Sequence, residues 1–466
     1  MRTLFMPTLA PTLRRFPLLG LCAIALCACT PVVTEYARPS IDLPAPPPQP
    51  ILIHHDWWKG FGDPVLDRLV VEALANNFDL AKAAANIAEA RANAGAARAL
   101  LSPRVDAFAD TGIGRREFSL GEEDLDRRTS LSRAGLGASW EIDLWGRIRQ
   151  MNDAALARAS ASEFTRNATE LSISAAVAEN YFMLRALDEK LLITRDSLAN
   201  LKGVSNLEYR RWQGQAGTEL AYRQSLAESF SVEARLPEIE FAISRTELAL
   251  KLLVGRSPRA MTDTISRGNN AIRLANVPRM VDSTLLLRRP DVASAEQLLI
   301  AANADVNSVR AERYPRINLS LIGAFVGSSS GVVSGMPFFW DAGAGVSAPV
   351  FDAGLIESKT EAAEARRVNA VAHYSYVVSQ AFSDVYDSLY MLDNSDRQVK
   401  SFEDEVVARR KSLALNQKSY DAGRTSKYEV LDETIKALNT DLLLVDARLN
   451  QLIARCRYYK ALGGGY

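Results

Sequence analysis

The sequence predicts a mixed α and β fold in which one structural unit occurs twice, and three observations lead to this prediction. Matching segments recur 208 or 212 residues apart along the chain. Residues 147–202 and 355–422 contain neither proline nor glycine, as expected for very long helices. Two pairs of short segments alternate between apolar and polar residues, as strands with one buried face do.

The N-terminus has the features of a bacterial lipoprotein signal. An arginine-containing start precedes the apolar residues 16–26, a segment shorter than the roughly 20 residues that a membrane-spanning helix needs. The segment ends in Leu26-Cys27-Ala28-Cys29, which resembles a lipobox and implies that residues 1–28 are a signal peptide and that Cys29 carries diacylglycerol. Thr30, rather than aspartate, follows this cysteine, which favours the outer membrane. An ordinary signal peptide with incidental cysteines is the alternative.

Composition argues against several classes of function. Removing residues 1–28 takes three arginines and no acidic residue from a chain with 55 basic and 55 acidic residues, which leaves a net charge of −3. A near-neutral chain without a basic block gives no indication of a nucleic-acid partner. Only Cys29 and Cys456 remain of four cysteines, so the sequence offers no disulfide framework. No later run reaches ~18 apolar residues, so a membrane crossing would require a closed β-barrel.

No constellation of residues indicates an enzyme. The three histidines, His54, His55 and His373, have no cysteine nearby that would suggest a metal site, and no phosphate-binding glycine loop is present. The sequence therefore predicts neither a catalytic residue nor a cofactor.

The internal repeat organises the mature chain. A proline-rich tether, 29–56 with the anchor, precedes a first repeat at 57–278 and a second at 279–466. Each repeat is predicted to contain a β-hairpin, at about 104–143 and 316–350, and a long helical hairpin, at about 146–255 and 354–462. The matched segments are Pro103-Arg104-Val105 with Pro315-Arg316-Ile317, Trp145-Gly146-Arg147-Ile148 with Ala353-Gly354-Leu355-Ile356, and Leu253-Val254-Gly255 with Ala461-Leu462-Gly463.

The long helices are predicted to be supercoiled. At 1.5 Å per residue, a single helix over 355–422 would be roughly 100 Å long, which is typical of a coiled coil or a helical barrel. Apolar residues near the C-terminus recur alternately every four and three residues, the period at which helices pack around each other. These residues are Leu431, Ile435, Leu438, Leu442, Val445, Leu449, Leu452 and Cys456.

The alternating segments are predicted to be amphipathic strands of about ten residues, enough to cross an outer membrane at a tilt. Four strands cannot close a barrel, for which about eight is the usual minimum, so several chains, from a dimer upward, would have to share one. A soluble β-sandwich patch is the alternative. The apolar positions are Val105, Ala107 and Ala109; Ala134, Leu136, Ala138, Trp140 and Ile142; Ile317, Leu319, Leu321, Gly323 and Phe325; and Trp340, Ala342, Ala344, Val346, Ala348 and Val350.

Several motifs in fixed order resemble one family. They are Trp57-Trp58 with Phe61-Gly62-Asp63-Pro64, Arg288-Arg289-Pro290-Asp291-Val292, Tyr314-Pro315-Arg316-Ile317, and the C-terminal Tyr459-Lys460-Ala461-Leu462-Gly463-Gly464-Gly465. Together they resemble the outer-membrane factor family of TolC-type channels, in its lipoprotein branch, similar to OprM and NodT subunits. Over almost the whole mature chain, the resemblance implies a trimeric channel with a shared transmembrane β-barrel, four strands per chain, and a long periplasmic α-helical barrel.

The resemblance also implies a function and partners. It implies a homotrimer in the outer-membrane lipid that acts as a passive exit duct of a tripartite efflux system. The duct would dock to a periplasmic membrane-fusion adaptor and to an inner-membrane pump, expected to be of the RND type. A duct for type I protein secretion and a structural outer-membrane lipoprotein are the alternatives, and the amphipathic strands argue against the second.

The turns between the long helices are the predicted site of regulation. Gly217 and Gly423 are expected to supply the permissive backbone there, and with Thr218 and Thr425 they form the predicted contact with the adaptor.

A partial match to the family pattern places a gate beside the second turn, made of Tyr420, Tyr428 and Asp432 with Arg424 or Lys418 as the cation. A solvated helix face for Asp432 and a packing aromatic for Tyr428 remain the alternatives.

Overall fold

A computed structural model describes residues 33–40, 54–120, 123–268, 272–275, 286–328 and 337–465 of the chain, and only the backbone of 114–120 and 123–131. The predicted signal peptide and Cys29 lie outside these residues. The helices are α1 (Pro64–Asn76), α2 (Phe78–Ala99), α3 (Arg147–Gln213), α4 (Glu219–Glu233), α5 (Leu236–Leu253), α6 (Pro290–Ala311), α7 (Leu355–Asp421) and α8 (Lys427–Ala461), and the strands are β1 (Arg104–Leu120), β2 (Glu123–Ile142), β3 (Arg316–Ser328) and β4 (Phe338–Ser347). The chain therefore has the predicted mixed α and β fold.

The two longest helices, α3 and α7, have 67 residues each. The heptad positions of α8 form a largely buried seam, because five of the eight are at most 5% exposed, namely Leu431, Leu438, Val445, Leu449 and Cys456. Leu431 and Leu438 pack against Leu201 of α3 and Val232 of α4 in one apolar cluster. Helix packing, rather than helix propensity alone, therefore stabilises these long elements.

The four strands form one antiparallel sheet in the order β1-β2-β3-β4. The strands of the first hairpin are longer than the predicted ten or so residues, since β1 has 17 residues and β2 has 20, and their pairing continues as far as Leu120 and Glu123. Backbone hydrogen bonds in a ladder do not depend on the polarity of the side chains, which explains why the polar sequence did not indicate these strand ends.

The register collects most of the apolar side chains on one face of the sheet, while Phe108, Ile322 and Phe339 lie on the other. Val105, Ala138, Leu321 and Ala342 stand opposite one another across the four strands. The next row, on the other face, consists of Arg104, Ser139, Ser320 and Gly343. Large side chains of the apolar face are exposed, among them Trp340 at 70% and Val346 at 67%. Nothing in the described part of the chain covers this face.

The chain divides into two compact units. One comprises Ala90–Arg158 and Leu298–Ala370 with the N-terminal segment up to Arg38, and it contains the sheet. The other comprises Pro39–Glu89, Ala159–Gln297 and Val371–Tyr466. None of the described helices combines the length and the apolar character needed to cross a membrane.

The motif around Asp63 organises the core of the second unit. Its carboxylate is fully buried, caps α1 by accepting from the backbone N–H of Val65, and accepts from the Tyr181 hydroxyl at 2.6 Å and from Arg185 at 3.2 Å. Gly268 passes so close that a Cβ there would lie 2.7 Å from the carboxylate oxygens. The aspartate thereby joins α1 to α3.

The motif around Arg289 holds the end of the chain in the same unit. Its guanidinium is buried, donates to Asp291 at 2.7 Å and to Asp384 at 3.0 Å, and also donates to the carbonyl of Ala461 at the end of α8 at 2.9 Å. Burial alone would lower the pKa of Arg289, but the two carboxylates raise it, so the charge is kept.

Candidate functional site

Two tight turns of the same backbone design end the long helices α3 and α7. In the first, the N–H of Ala216 donates to the carbonyl of Arg211 at 2.7 Å; in the second, the N–H of Arg424 donates to that of Ser419 at 2.9 Å. Each turn has one left-handed residue, Gln215 with φ 57° and Gly423 with φ 72°. This pattern is a Schellman motif, which satisfies the last carbonyls of a helix.

The two glycines that the sequence singled out therefore have different roles. Gly423 takes the left-handed position, but Gly217 does not, because Gln215 occupies that position in the first turn. Gly217 instead allows the backbone of the turn to pass close to the end of α3, since a Cβ at this position would lie 3.0 Å from the Cβ of Arg211. The expectation that Gly217 supplies a permissive backbone is wrong in this respect. Counting 208 residues back from Gly423 leads to Gln215 and gives the correct equivalence.

Hydroxyl side chains begin the helices that follow the turns. Thr218 caps α4 by accepting from the N–H of Ala221 at 3.2 Å, and Ser426 caps α8 by accepting from the N–H of Glu429 at 3.4 Å. Thr425 precedes this cap, and its hydroxyl is buried without a partner among the described residues. Capping at both ends of each turn gives the two turns a defined shape on an exposed surface.

A polar cluster joins the ends of α3 and α7 beside the turns. Arg211 of α3 donates a hydrogen bond to the hydroxyl of Tyr420 of α7 and lies 3.5 Å from the buried carboxylate of Glu208. The ammonium of Lys427, at the start of α8, lies 4.8 Å from the centre of the Tyr420 ring. Burial lowers the pKa of Lys427, while Glu208 and Asp421 act in the opposite direction. The cluster thus links both helical hairpins.

The structure brings together only part of the predicted gate. Tyr420 lies inside the polar cluster, whereas Tyr428 is 53% exposed and Arg424 lies on the surface. Asp432 pairs with Lys436 on its own helix at 2.5 Å, not with Arg424 or Lys418.

The sequence interpretation missed Glu208, Arg211 and Lys427, which the fold brings to Tyr420. The adjacent Arg210 and Arg211 in the last turn of α3 were the only signal available.

Aromatic side chains cover the outside of the first turn. Trp212 stacks on Tyr222 with ring centres 5.8 Å apart, and Tyr209 contacts both rings. Arg223 extends the stack, with its guanidinium 5.5 Å from the Tyr222 ring centre. The first turn therefore presents an aromatic surface next to the polar cluster that it shares with the second.

Comparison with protein families identifies the chain. Residues 69–256 and 282–464 match the family model described as outer membrane efflux protein, once in each half. The chain belongs to the outer membrane efflux protein family. The match to each half agrees with the internal repeat, and the protein is accordingly an outer-membrane channel component of efflux systems.

Relatives of this outer membrane efflux protein carry names that agree with the family. The pyoverdine export outer membrane protein OpmQ of Pseudomonas putida is 33% identical over 415 residues, which cover 88% of either chain. The toluene efflux pump outer membrane protein TtgI of the same species is 31% identical, covering 87% of this chain and 86% of the relative. The probable outer membrane lipoprotein SilC of Salmonella typhimurium is 29% identical, covering 95% and 96%.

Solved structures agree with the fold. The outer-membrane channel OprN superposes with a TM-score of 0.85 at 26% identity, covering 94% of this chain and 99% of that one. The open state of the outer membrane channel MtrE of Neisseria gonorrhoeae gives a TM-score of 0.81 at 25% identity, covering 94% and 98%.

Proposed function

We propose that this outer membrane efflux protein is one subunit of a homotrimeric, passive exit duct for small molecules. In this proposal a periplasmic membrane-fusion adaptor and an inner-membrane pump of the RND type deliver the cargo and supply the energy. The names of the relatives, which refer to pyoverdine, toluene and solvents, support small-molecule efflux over protein secretion.

The sheet carries the argument for a shared pore. Among the described residues, β1 pairs only with β2 and β4 only with β3, so both outer strands have a free edge. A sheet with two free edges and one uncovered apolar face is unstable in water and in lipid, because unpaired backbone groups cost several kcal/mol each in a bilayer. Pairing β4 of one chain with β1 of the next removes every edge and places the apolar face against lipid.

The anchor is proposed to be the diacylglycerol on Cys29. The lipobox-like Leu26-Cys27-Ala28-Cys29 supports this assignment, and SilC, a relative over nearly the whole chain, is named a probable outer membrane lipoprotein. The acyl chains would add a second attachment to the outer membrane beside the strands.

The two turns are proposed to dock the adaptor. Gly217, Thr218, Gly423 and Thr425 belong to turns of one backbone design, with capped helices on either side. Preorganised surfaces bind with a smaller loss of conformational entropy than loops that must become ordered, and this supports docking at such turns.

The polar cluster beside the turns is proposed to keep the resting duct closed. The bond from Arg211 to Tyr420 joins the two hairpins of one chain, and opening the end of the duct would move these hairpins apart. A hydrogen bond with one charged partner contributes about 1.5–3 kcal/mol, and an exposed pair such as Asp432 with Lys436 contributes under ~1 kcal/mol. Three symmetric copies multiply each effect, but each contribution is small enough for adaptor binding to break it.

Conductance in planar bilayers tests this gate. Tyr420→Phe keeps the ring but removes the oxygen that accepts from Arg211, and Asp432→Ala removes one exposed carboxylate. Tyr420→Phe is expected to raise conductance, because the lost bond joins the two hairpins. Asp432→Ala breaks a pair within α8, so its rise in conductance is expected to be smaller and to shrink at high salt, where screening already weakens the native pair.

Asp393→Ala is the matched control for these variants. Like Asp432, Asp393 has an exposed carboxylate that pairs with a basic residue four positions later, here Arg397. Unlike Asp432, it lies far from the turn, in the middle of α7. The variant should conduct like the native protein. If Tyr420→Phe and Asp432→Ala also behave like the native protein, both residues are ordinary helix-surface residues and the gate lies elsewhere.

A further inference from the structure

The N-terminal tether is held at one residue by a complete set of hydrogen bonds. The backbone N–H of Thr34 donates to the Asn307 side-chain oxygen at 3.1 Å, and its carbonyl accepts from the side-chain amides of Asn303 at 2.9 Å and Asn307 at 3.0 Å. Its hydroxyl accepts from Arg310 at 2.7 Å. All three partners lie on α6, at spacings of three and four residues that place them on one face.

The partners of Thr34 are themselves fixed. Asn303 and Asn307 are 7% and 6% exposed, and Arg310 uses its second terminal nitrogen to donate to Glu364 at 2.6 Å. Without the tether, Asn303 would lose the Thr34 carbonyl to which it donates, and Asn307 would keep only Gln150, to which it donates at 3.3 Å. A buried polar group left without a partner costs about 1–3 kcal/mol. The site is therefore a receptor for an extended peptide, not a chance contact of two surfaces.

The receptor lies beside the start of a strand. Asn307 and Arg310 line a pocket of about 360 Å³ together with Val33, Trp145 and Tyr314. Trp145 stacks on Tyr314 with ring centres 5.1 Å apart, and its indole N–H donates to the carbonyl of Pro315 at 2.6 Å. β3 begins at the next residue, Arg316. The tether at Val33 and Thr34 is therefore held next to the residues that precede β3, at the base of the sheet.

We propose that Asn303, Asn307 and Arg310 form a clamp that positions the lipid anchor at the base of the sheet. The inference rests on the proposed acylation of Cys29. Thr34 is five positions after Cys29, so the anchor lies at most ~17 Å from the clamp, whereas the 28 positions from Cys29 to Trp57 would allow ~95 Å. The clamp thus confines the diacylglycerol to lipid next to the strands, and the anchor and the apolar face of the sheet enter the membrane together.

Spin-label mobility tests the clamp in the full-length protein in lipid vesicles. Val33→Cys introduces the label next to Thr34, while Cys456 is fully buried and the proposed diacylglycerol occupies the thiol of Cys29. The label is expected to give an immobilised spectrum in the otherwise native chain. Thr34→Pro removes the N–H and the hydroxyl without touching the folded body, and Asn303→Ala with Asn307→Ala removes the receptor. Both should convert the label to a mobile spectrum.

A control and a second readout complete the test. Gln297→Ala removes another amide side chain from α6 outside the clamp and should leave the label immobile. Incorporation of a palmitate analogue, absent in Cys29→Ser, reports the anchor separately. A mobile label in the native chain, or an immobile label in Thr34→Pro, overturns the clamp even if palmitate is incorporated. An immobile label in a chain that takes up no palmitate shows instead that the proposed acylation is wrong, and with it the anchoring role.

Discussion

Gln215 holds a backbone conformation that L-residues adopt at a cost. Its φ of 57° lies in the left-handed region, where a side chain costs about 1–2 kcal/mol relative to glycine, although glycine also loses about 0.5–1 kcal/mol more entropy on folding. We therefore expect Gln215→Gly to raise the free energy of unfolding by up to about 1 kcal/mol. Thermal unfolding of the purified protein in detergent would measure this as a higher midpoint.

Gly423→Ala makes the opposite change at the equivalent left-handed position of the second turn. Its φ of 72° disfavours any Cβ, although the space around Gly423 is open, so the change isolates the backbone effect and should lower stability by about 1 kcal/mol. Equal midpoints for Gln215→Gly and the native protein would contradict the strain assigned to Gln215.

At the residue scale the sequence predicted the location of the turns but not their chemistry. The proline- and glycine-free stretch 355–422 indicated where α7 ends, because helix continuity is a local property. The stretch 147–202 did not mark the end of α3, because this helix continues through Gly203 to Gln213. Which residue becomes left-handed depends on the last hydrogen bonds of the helix, and a turn with glycines at 214 and 217 offered two candidates. The bond from Arg211 to Tyr420 joins residues 209 positions apart, so it depends on helix packing that no local pattern contains.

Among the elements, the sheet has one apolar and one more polar face, and neighbouring residues of β4 allow a substitution to be compared on the two faces. Val346 lies on the apolar face and is exposed, whereas Gly345 lies on the opposite face with open space around it. If the apolar face contacts lipid, Val346→Arg should be destabilising. Because Val346 lies one residue before the end of β4, the cost per copy is expected to lie between the ~0–1 kcal/mol of an arginine near the membrane interface and the ~2–4 kcal/mol of one at the midplane. Gly345→Arg should be tolerated. The measurement is the free energy of unfolding of each variant in lipid vesicles, and equal losses would argue against a lipid-facing surface.

The alternation of β3 and β4 was readable from the sequence because strand side chains have a period of two. The pairing of β2 with β3 was not, since these strands lie in different halves of the chain and only the folded sheet brings Trp140 opposite Leu319. The ends of β1 and β2 were also missed, because polar residues continue the backbone ladder there. Periodicity thus predicts faces, while register and strand length depend on partners.

At the scale of the whole molecule, the free edges of β1 and β4 require an oligomer. Four strands fall short of the about eight that a small closed barrel needs, so a single chain cannot close the sheet, and two chains would reach only that minimum. Three chains would give twelve strands, a wider opening suited to a duct.

Native mass spectrometry in detergent is therefore expected to show three chains. The same preparation should conduct in planar bilayers, and conductance should be lost under conditions that dissociate the oligomer. A monomer that conducts by itself would contradict the argument from strand number, and a stable dimer would contradict the trimer while leaving the shared sheet intact.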